Sequence, residues 1–469
     1  IKTSKIFLER LDDKKNELLF KFYSSDCNGS NEIFINTQKL HVICFKIRQY
    51  IFFNKIFIFE KRYWVKSLKK DVGYFSAFLN KEKVDCIFEQ KKIKNFNIII
   101  MKMKFMKTKR MKNKPIWIFA DMPFKADDNA EHLYRYILRN HPNQDIYFSL
   151  RKKSDDWNRL KQDGFKLVDP KTLRFKYLLF RSDKLISSHL DRYFFEGLGK
   201  KTLDTKDFIF LQHGITQNDI SRWVNQRKID LFISGTKEEF LSIAGDFNNY
   251  KFTTKEVKFT GFPRWDALIK GNKTDIKQIL IMPTWRSYIV GTYSKKKMKR
   301  RLDYKKFYES EYFYKWSSFL HSRTFMVLCE RYNYKILFHP HPQIKPYLKC
   351  FNLPNYVHTN NNFNIGIQKM FQESSIVITD YSSIAFDVKL LNKKILYYQF
   401  DKEDFFQKHF VNSGYFDYNK EIENIAYSQA DLLKKLEIIF KNLSQNRMQK
   451  IEYNQDMYSK RVFNLILKE

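Results

Sequence analysis

Two histidine-bearing segments of this chain have the residue types and spacing that acid–base chemistry needs. The first is His213-Gly214, directly after a short apolar run at 208–212. An imidazole at the first position of a strand-to-helix turn can act as a general base near neutral pH, and the glycine beside it lets a substrate approach the backbone. Taken alone, the position is explained equally well by a structural histidine that caps the next segment.

The second segment, His339-Pro340-His341-Pro342, follows an apolar run at 335–338. Two prolines fix the turn and thereby direct the imidazoles, which can donate a hydrogen bond to a diphosphate or protonate a leaving phosphate. Metal binding is the competing chemistry. No acidic or cysteine residue nearby completes a site of the usual kind, so we predict neither a metal nor a cofactor.

A third segment, Pro283-Thr284-Trp285-Arg286, follows the apolar run at 278–282. The threonine hydroxyl and the arginine guanidinium suit phosphate oxygens, since a guanidinium can hold two oxygens at once. A surface arginine stacked on the tryptophan is the structural alternative, and the tetrapeptide alone does not separate the two.

A fourth segment follows the apolar run at 376–379 and leads straight into an apolar helix. Its polar residues are Thr379, Asp380, Ser382, Ser383 and Asp387. Serine hydroxyls and free backbone N–H groups at a helix start attract anions, although an ordinary serine N-cap is the structural alternative. Four strand ends that each carry phosphate-binding or proton-transferring groups are hard to explain as four independent caps.

These segments need a scaffold that brings strand ends together, and the pattern from residue 115 onwards predicts one. Short apolar runs typical of strands alternate with amphipathic stretches typical of helices. The predicted strands are 116–120, 145–150, 184–188, 208–212, 230–234 and 257–260, then 278–282, 335–338, 376–379 and 395–398; predicted helices include 129–140, 312–331 and 384–391. Two such series imply two parallel-sheet domains facing a cleft, because parallel strands need crossover helices and bind ligands at their carboxyl ends.

The chain therefore divides into four predicted parts. Residues 1–114 form a basic accessory region, in which apolar runs at 18–22, 32–35 and 41–45 suggest β-strands. The two α/β domains are 115–270 and 271–445, and 446–469 form a C-terminal helix.

Together, these segments resemble the CDP-glycerol glycerophosphotransferase family, membrane-associated enzymes that build teichoic acids and related capsule polymers. The matching segments are His213-Gly214-Ile215-Thr216, Gly261-Phe262-Pro263-Arg264-Trp265-Asp266, Pro283-Thr284-Trp285-Arg286, His339-Pro340-His341-Pro342 and Ile378-Thr379-Asp380-Tyr381-Ser382-Ser383-Ile384-Ala385-Phe386-Asp387, with 128–134 as the first βα unit. The resemblance covers about residues 115 to 414, and the ordered series is far more specific than any one motif.

The resemblance implies an α/β fold of GT-B type, in which two Rossmann-like parallel-sheet domains face a cleft, here with an N-terminal accessory segment. The first domain would bind the acceptor and the second the nucleotide donor. The reaction would transfer glycerol phosphate, or a related polyol phosphate, from a CDP-linked donor to an acceptor hydroxyl with release of CMP. The acceptor would be lipid-linked or polymeric, and the enzyme peripheral on the cytoplasmic face of the membrane.

The same resemblance assigns roles to residues of this sequence. His213 becomes the base that deprotonates the acceptor hydroxyl, and His341 the second catalytic histidine, although the doubled His-Pro leaves His339 open for that role. The donor-binding residues are Thr284, Arg286, His339, Thr379, Asp380, Ser382, Ser383 and Asp387, and those on the acceptor side are Gly214, Arg264 and Asp266. The acid pairs Asp12-Asp13, Asp127-Asp128 and Asp155-Asp156 are interpreted as surface residues or caps.

One departure concerns the acceptor. The family often has Thr-Pro-Leu-Lys after His-Gly, where this chain has Ile215-Thr216-Gln217-Asn218. The missing lysine suggests an acceptor other than a standard teichoic acid primer, and capsule polymerases that join sugars through phosphates remain open. A GT-B glycosyltransferase that uses a nucleotide sugar is the alternative function.

Composition limits the partners. The 469 residues include 86 Lys and Arg against 51 Asp and Glu, a net charge of +35, and 43% of them are hydrophobic and 17% aromatic, which excludes a disordered chain. The charge suggests an anionic partner, and the basic clusters at 61–114 and 295–306 suit an anionic membrane surface. We predict no nucleic-acid partner, since the basic residues surround no stacking platform or recognition motif.

The remaining sequence features argue against disulfides, a zinc site and a membrane-spanning segment. Five cysteines without a CxxC pair favour reduced thiols over disulfides or zinc. No apolar stretch reaches the length of about 18–20 residues that spans a bilayer. The first residue is Ile1 rather than methionine, so the chain is expected to be incomplete at this end.

Overall fold

The computed structural model describes residues 5–12, 15–25, 27, 33–35, 38–52, 55–66, 77–79, 82–88, 115–190, 205–294, 299–360, 366–409, 414–418, 420, 422–445, 451 and 454–469. These residues form one largely antiparallel sheet near the N-terminus, followed by two parallel sheets that are each covered by helices.

The N-terminal sheet has eight described strands. They are β1 (Lys5–Asp12), β2 (Glu17–Ser24), β3 (Ile33–Ile35), β4 (Gln38–Lys39), β5 (Val42–Phe52), β6 (Lys55–Lys66), β7 (Ala77–Leu79) and β8 (Glu82–Phe88), in the order β4-β3-β7-β8-β1-β2-β6-β5. Leu18, Phe20 and Phe22 lie on one face of β2 and pack in one core with Tyr63 of β6. Leu19 on the opposite face is buried as well, beside its register partner Trp64 of β6, so both faces of the sheet are covered here.

The basic cluster at 61–114 falls mostly outside the described residues. Of its described members, Lys61 and Arg62 are buried, and Arg62 pairs with Glu9 at 2.7 Å and with Glu60 at 2.8 Å. These two basic residues are therefore enclosed by the protein and do not face a membrane.

The second sheet is parallel throughout its described strands. They are β9 (Ile116–Ala120), β10 (Asp145–Ser149), β11 (Leu167–Val168), β12 (Lys184–Ser187), β13 (Asp207–Phe210), β14 (Leu231–Ser234) and β15 (Val257–Phe259), in the order β11-β10-β9-β12-β13-β14-β15. Its helices are α1 (Asn129–Asn140), α2 (Asp156–Gln162), α3 (Leu173–Arg181), α4 (Ser221–Val224), α5 (Lys237–Ala244) and α6 (Arg264–Lys270). Because helices cover both faces, the strands read as continuous apolar runs.

The third sheet repeats this arrangement. Its strands are β16 (Gln278–Ile281), β19 (Lys335–Phe338), β20 (Val357–Thr359), β21 (Ile376–Thr379), β22 (Lys394–Tyr398) and β23 (Ile425–Ala426), in the order β20-β19-β16-β21-β22-β23, while β17 (Tyr293–Ser294) and β18 (Lys299–Arg300) form a separate small hairpin. Its helices are α7 (Tyr304–Tyr308), α8 (Glu311–Leu320), α9 (Arg323–Tyr332), α10 (Ile367–Gln372), α11 (Ile384–Leu390), α12 (Lys402–Lys408) and α13 (Gln429–Gln445), followed by α14 (Met457–Lys468).

Both parallel sheets have the order of a doubly wound fold, in which the first strand lies inside the sheet and the order reverses beside it. The reversal falls between β9 and β12 in one sheet and between β16 and β21 in the other. Ligands of such sheets bind outside the carboxyl ends of the strands at this point. Every strand predicted from the sequence for these two sheets is present. Three short edge strands, β11, β20 and β23, were not predicted, because two or three residues are too few to show an apolar pattern.

One predicted helix is wrong. The stretch 312–331 contains two helices, α8 and α9, which meet at His321 and Ser322. Ser322 is extended, and its hydroxyl accepts from the N–H of Phe325, so it caps the start of α9. The apolar pattern continues across the break because both helices pack on the same core.

The N-terminal sheet is joined to the second sheet's domain by buried polar contacts. The Trp64 indole donates to Glu256 at 2.9 Å, and Arg10 forms an ion pair with Asp230. Lys46 is fully buried, and its ammonium donates to the carbonyl oxygens of Ile243 and Phe252. These contacts dock β1, β5 and β6 against that domain.

The C-terminal helix α14 returns to the same domain. It packs on α1 and α6, and Phe463 contacts Trp117 with ring centroids 6.0 Å apart. Among the described residues, no helix combines the length and the hydropathy that crossing a bilayer requires.

Replacing Lys46 with methionine is expected to remove a pH dependence of stability. Burial, reinforced by the charges of Arg48 and Arg62, lowers the pKa of Lys46 from 10.5 to about 7. Between these values the unfolded chain binds a proton that the folded chain has lost, so the wild-type protein gains stability as pH rises, by up to about 1.4 kcal/mol per pH unit from this group.

Thermal unfolding of wild type and Lys46→Met between pH 7 and pH 9 measures the effect. Lys55→Met is the matched control, because Lys55 is exposed on the same hairpin. If the stability difference between wild type and Lys46→Met stays constant over this range, the lowered pKa is refuted.

Candidate active site

The His213 and Ser383 loops of the two parallel-sheet domains meet in the cleft. A Cβ atom built on Gly214 would lie 3.5 Å from the Ser383 hydroxyl oxygen. Gly214 follows β13 in one domain, and Ser383 lies between β21 and α11 in the other. The proton-accepting segment and one phosphate-binding segment predicted from the sequence are therefore direct neighbours.

His213 is exposed to the cleft and stacks on a second histidine. The ring centroids of His213 and His189 are 4.6 Å apart, and the rings are tilted by 16°. Desolvation, together with the neighbouring positive charges of His189 and Arg264, lowers the pKa of His213 to about 4 although Asp128 opposes the shift. His213 is therefore neutral at physiological pH, the state that a general base requires.

Arg264 connects this histidine to the other domain. Its guanidinium donates to Asp128 at 3.0 Å and to the backbone carbonyl of His213 at 2.9 Å. Its second amino group contacts both carboxylate oxygens of Asp387 on α11, at 2.8 and 3.1 Å, and the Trp265 indole donates to the same carboxylate at 2.5 Å. These contacts form an ion pair between the two domains, and both of its residues are buried.

His341 follows β19, and its hydrogen bonding assigns it a single tautomer. Its Nδ1 accepts from the backbone N–H of Gln343 at 3.2 Å, which leaves the proton of the neutral ring on Nε2. Desolvation, with the charges of His409 and His339, lowers the pKa of His341 to about 4. The ring can therefore donate a hydrogen bond from Nε2 at neutral pH.

The Trp285 ring organises the surroundings of His341. It stacks on His341 at a centroid distance of 5.8 Å and meets the edge of His409 at 5.1 Å. The Arg300 guanidinium lies 4.9 Å from the Trp285 ring centroid. The stack on Trp285 that was the structural alternative for Arg286 is therefore made by Arg300, while Arg286 points elsewhere.

His339 lies opposite a cation from the other domain. Desolvation and the charges of Lys125 and Lys345 lower its pKa to about 4. Lys125 belongs to the loop after β9, so His339 too lies where the two domains face each other.

Arg286 is fully buried and its donors are taken up by protein groups. It contacts Asp401 at 2.7 and 2.9 Å, Asp380 at 2.9 Å and the carbonyl of Thr284 at 2.8 Å. Direct contact with a diphosphate, as expected from the sequence, would require this network to open. In the described conformation Arg286 holds the loops that border the cleft.

Thr379 and Asp380 belong to the same buried support. The Thr379 hydroxyl donates to the carbonyl of Met282, and Asp380 accepts from the backbone N–H groups of Thr284 and Tyr381. Ser382 and Ser383 are only half-buried, whereas the Thr284 hydroxyl is buried beside Asp380. The hydroxyls exposed enough to reach a ligand are thus those of Ser382 and Ser383.

Asp266 has a structural task. Its carboxylate accepts from the backbone N–H groups of Tyr458 and Ser459, at 3.0 and 2.7 Å, and so holds the start of α14. It also borders a cavity of about 530 Å³ among α1, α6 and α14, where several charges pair, as Arg135 does with Glu131 at 2.7 Å. The lining holds five carboxylates against four Lys and Arg side chains, which gives a phosphate no net attraction, so the cleft remains the candidate site.

Sequence reasoning missed four residues that shape the site: Asp128, His189, Asp401 and His409. His189 comes two residues after β12, so the rule that located His213 would also have found it. Asp128 caps α1, as expected for the acid pairs, but it also contacts His189 and Arg264. Asp401 and His409 carry no local signal, since their partners Arg286 and Trp285 are more than a hundred residues away.

Comparison with known proteins gives these motifs a family. A sequence model of the family described as CDP-Glycerol:Poly(glycerophosphate) glycerophosphotransferase matches residues 99–468. The minor teichoic acid biosynthesis protein GgaB of Bacillus subtilis (strain 168) is 36% identical over 359 residues, which are 75% of this chain and 38% of that protein. The chain spans well under half the length of this curated relative.

Solved structures give the fold. Two structures of the wall teichoic acid polymerase TagF superpose with TM-scores of 0.53 and 0.51 at 17% identity, covering 80% of this chain and 98% of theirs. At this identity the likeness shows the fold alone. It confirms the predicted GT-B type, with two parallel-sheet domains.

Arg286→Met is expected to destabilise the protein strongly. The change leaves Asp380 and Asp401 buried without the guanidinium that both contact, and removing one partner of a buried ion pair costs about 3–5 kcal/mol. Chemical denaturation measures the loss, with exposed Arg222→Met as the control. Wild-type stability combined with lost donor binding would instead support the direct phosphate contact expected from the sequence.

Proposed function

Since this chain belongs to the CDP-glycerol:poly(glycerophosphate) glycerophosphotransferase family, we propose that it transfers glycerol phosphate, or a related polyol phosphate, from a CDP-linked donor to an acceptor hydroxyl. The product is a teichoic acid-like or capsular polymer, and CMP is released. The name of the relative GgaB, a teichoic acid biosynthesis protein, supports this polymer class.

The observation that carries the proposal is the approach of Gly214 to Ser383 across the cleft. It brings a neutral histidine beside hydroxyls that suit phosphate. A base for the acceptor and a cradle for the donor are thus adjacent, as direct transfer between two bound substrates requires.

On the acceptor side, His213 accepts the proton of the attacking hydroxyl. The acceptor oxygen forms a bond to the phosphorus that carries the glycerol, and the bond from that phosphorus to the bridging oxygen of the diphosphate breaks. CMP leaves with the bridging oxygen and its electron pair. Gly214 gives the acceptor room at the backbone, and Arg264 holds the His213 carbonyl and thus the loop.

On the donor side, fixed hydrogen-bond donors offset the charge that develops on CMP. The candidates are the Nε2–H of His341 and the hydroxyls of Ser382 and Ser383, with His339 as a further contact, while the buried Thr284 hydroxyl supports them beside Asp380. Preorganised donors of this kind usually supply the largest share of stabilisation in such a transfer. Arg286, Thr379, Asp380 and Asp387 support these groups from behind.

The purified protein is expected to release CMP from CDP-glycerol or CDP-ribitol when given a polyol-phosphate polymer, and His213→Ala should lower the rate by about 10²–10⁴-fold, the usual contribution of a general base. Coupled detection of CMP measures both. His141→Ala is the matched control, because His141 stacks on Phe463 outside the cleft.

The same assay separates the alternative function. Release of nucleotide from a nucleotide sugar, with none from either CDP-polyol, would identify a GT-B glycosyltransferase and overturn the proposal. Full activity of His213→Ala would remove its role as the base.

We propose that the acceptor is lipid-linked or polymeric and that no nucleic acid is involved. We also propose that the enzyme binds peripherally at the cytoplasmic face of the membrane. The support for membrane binding is electrostatic. Residues 295–306 contain eight basic side chains against Asp303 alone, and the described residues 301–306 are exposed. Each basic residue near an anionic leaflet contributes about 1 kcal/mol.

Changing Arg301, Lys305 and Lys306 to glutamine is expected to weaken binding to anionic liposomes by at least tenfold, while turnover of a soluble acceptor persists. Co-sedimentation at two salt concentrations measures the binding. The matched control changes Lys460, Arg461 and Lys468, which are exposed on α14. Equal binding by both triple variants would show that residues 301–306 are not the contact.

A further inference from the structure

His189 lies beside the proposed base in a contact that the reaction described above does not use. It follows β12 by two residues, and its ring lies almost parallel to that of His213, with centroids 4.6 Å apart. Ring nitrogens donate and accept in the plane of their own ring, so stacked imidazoles do not hydrogen-bond to each other through these atoms. His189 is therefore poorly placed to relay a proton from His213 but well placed to fix its plane.

Asp128 anchors His189 through one of its ring nitrogens. Its carboxylate lies 3.5 Å from Nε2 of His189, and its other oxygen accepts from Arg264 at 3.0 Å. Asp128 is itself fixed, because its backbone N–H donates to Asp121 and its side chain caps α1. Burial raises the pKa of Asp128, but the hydrogen bond from His189 and the charge of Arg264 outweigh it and lower the pKa.

We propose that His189 is the positioning residue for His213, holding the plane of the catalytic ring through a stacked contact that Asp128 anchors. The inference rests on the proposed role of His213 as the base. His189 does not touch the reacting atoms in this scheme. It acts by fixing the ring of His213 and by placing a positive charge near it.

The charged groups around His213 make the direction of the electrostatic effect clear. His189 and Arg264 oppose protonation of His213, whereas Asp128 favours it. Asp121 accepts from the backbone N–H of Asp128, and Asp387 of the donor domain pairs with Arg264. Removing the charge of His189 leaves Asp128 less compensated, so His213 should then bind a proton more readily.

The test combines a titration of His213 with kinetics, using the whole chain. Histidine-labelled protein is titrated by NMR, and His213→Asn assigns the His213 signal. In His189→Phe, which keeps a ring but loses the charge and the Nε2 contact, the midpoint of His213 should rise toward the ordinary imidazole value of about 6.5. His141→Phe, the same change outside the cleft, should leave the midpoint where it is.

The kinetic part separates positioning from stability. His189→Ala should lower kcat by about tenfold through loss of ring orientation, with little change in the KM of the CDP-linked donor. His189→Phe should retain more of kcat and show an activity profile whose acidic limb moves to higher pH. If His189→Ala does not fold, His189→Gln, which keeps a donor for Asp128 but no ring, takes its place.

The outcomes are distinguishable from failure of the proposed function. A raised midpoint of His213 in a protein that releases no CMP would show that the charge of His189 acts on His213 but would overturn the proposed reaction, and with it the catalytic purpose of the contact. An unchanged midpoint, together with losses of kcat that merely follow the loss of thermal stability, would overturn the role of His189 whatever the reaction is.

Discussion

The site depends on one buried guanidinium, that of Arg264. It contacts Asp128 and the His213 carbonyl in one domain and Asp387 in the other. A buried charge is tolerated only when it is paired and hydrogen-bonded, so these partners constrain one another strongly. The ion pair therefore connects α11, which follows Ser382 and Ser383, to the loop that carries the proposed base. It thereby holds the two sides of the cleft together.

A second buried cation performs a comparable task within the donor domain. Arg286 joins Asp380 and Asp401, and Asp380 in turn holds the backbone of Thr284 and Tyr381. The charged residues of the motifs are thus largely structural, and the groups left for ligands are neutral imidazoles and hydroxyls. The net charge of +35 therefore does not predict how this site binds a ligand, since some basic residues, such as Lys46, Lys61 and Arg62, are buried elsewhere in the fold.

The proposed base shows why packing matters for its chemistry. A histidine in water is partly protonated near neutral pH, whereas desolvation and two adjacent cations keep His213 neutral. Desolvation and neighbouring charges keep His341 neutral as well, and a backbone N–H at its Nδ1 also fixes the tautomer. One ring is thereby prepared to accept a proton and the other to donate a hydrogen bond.

The sequence by itself determined the two α/β domains, their long strands and the strand ends that carry polar residues, because these depend on local periodicity and on residues adjacent in the chain. It also placed His213, Thr284, His341 and the Ser382-Ser383 pair at strand ends. Only the tertiary structure decided that Arg286, Asp266 and Asp387 face protein partners, that 312–331 breaks at Ser322, and that His189 and Asp128 support His213. Those outcomes depend on burial and on partners far away in sequence, such as Asp387 for Arg264, and a single chain read in order does not reveal which distant groups become neighbours.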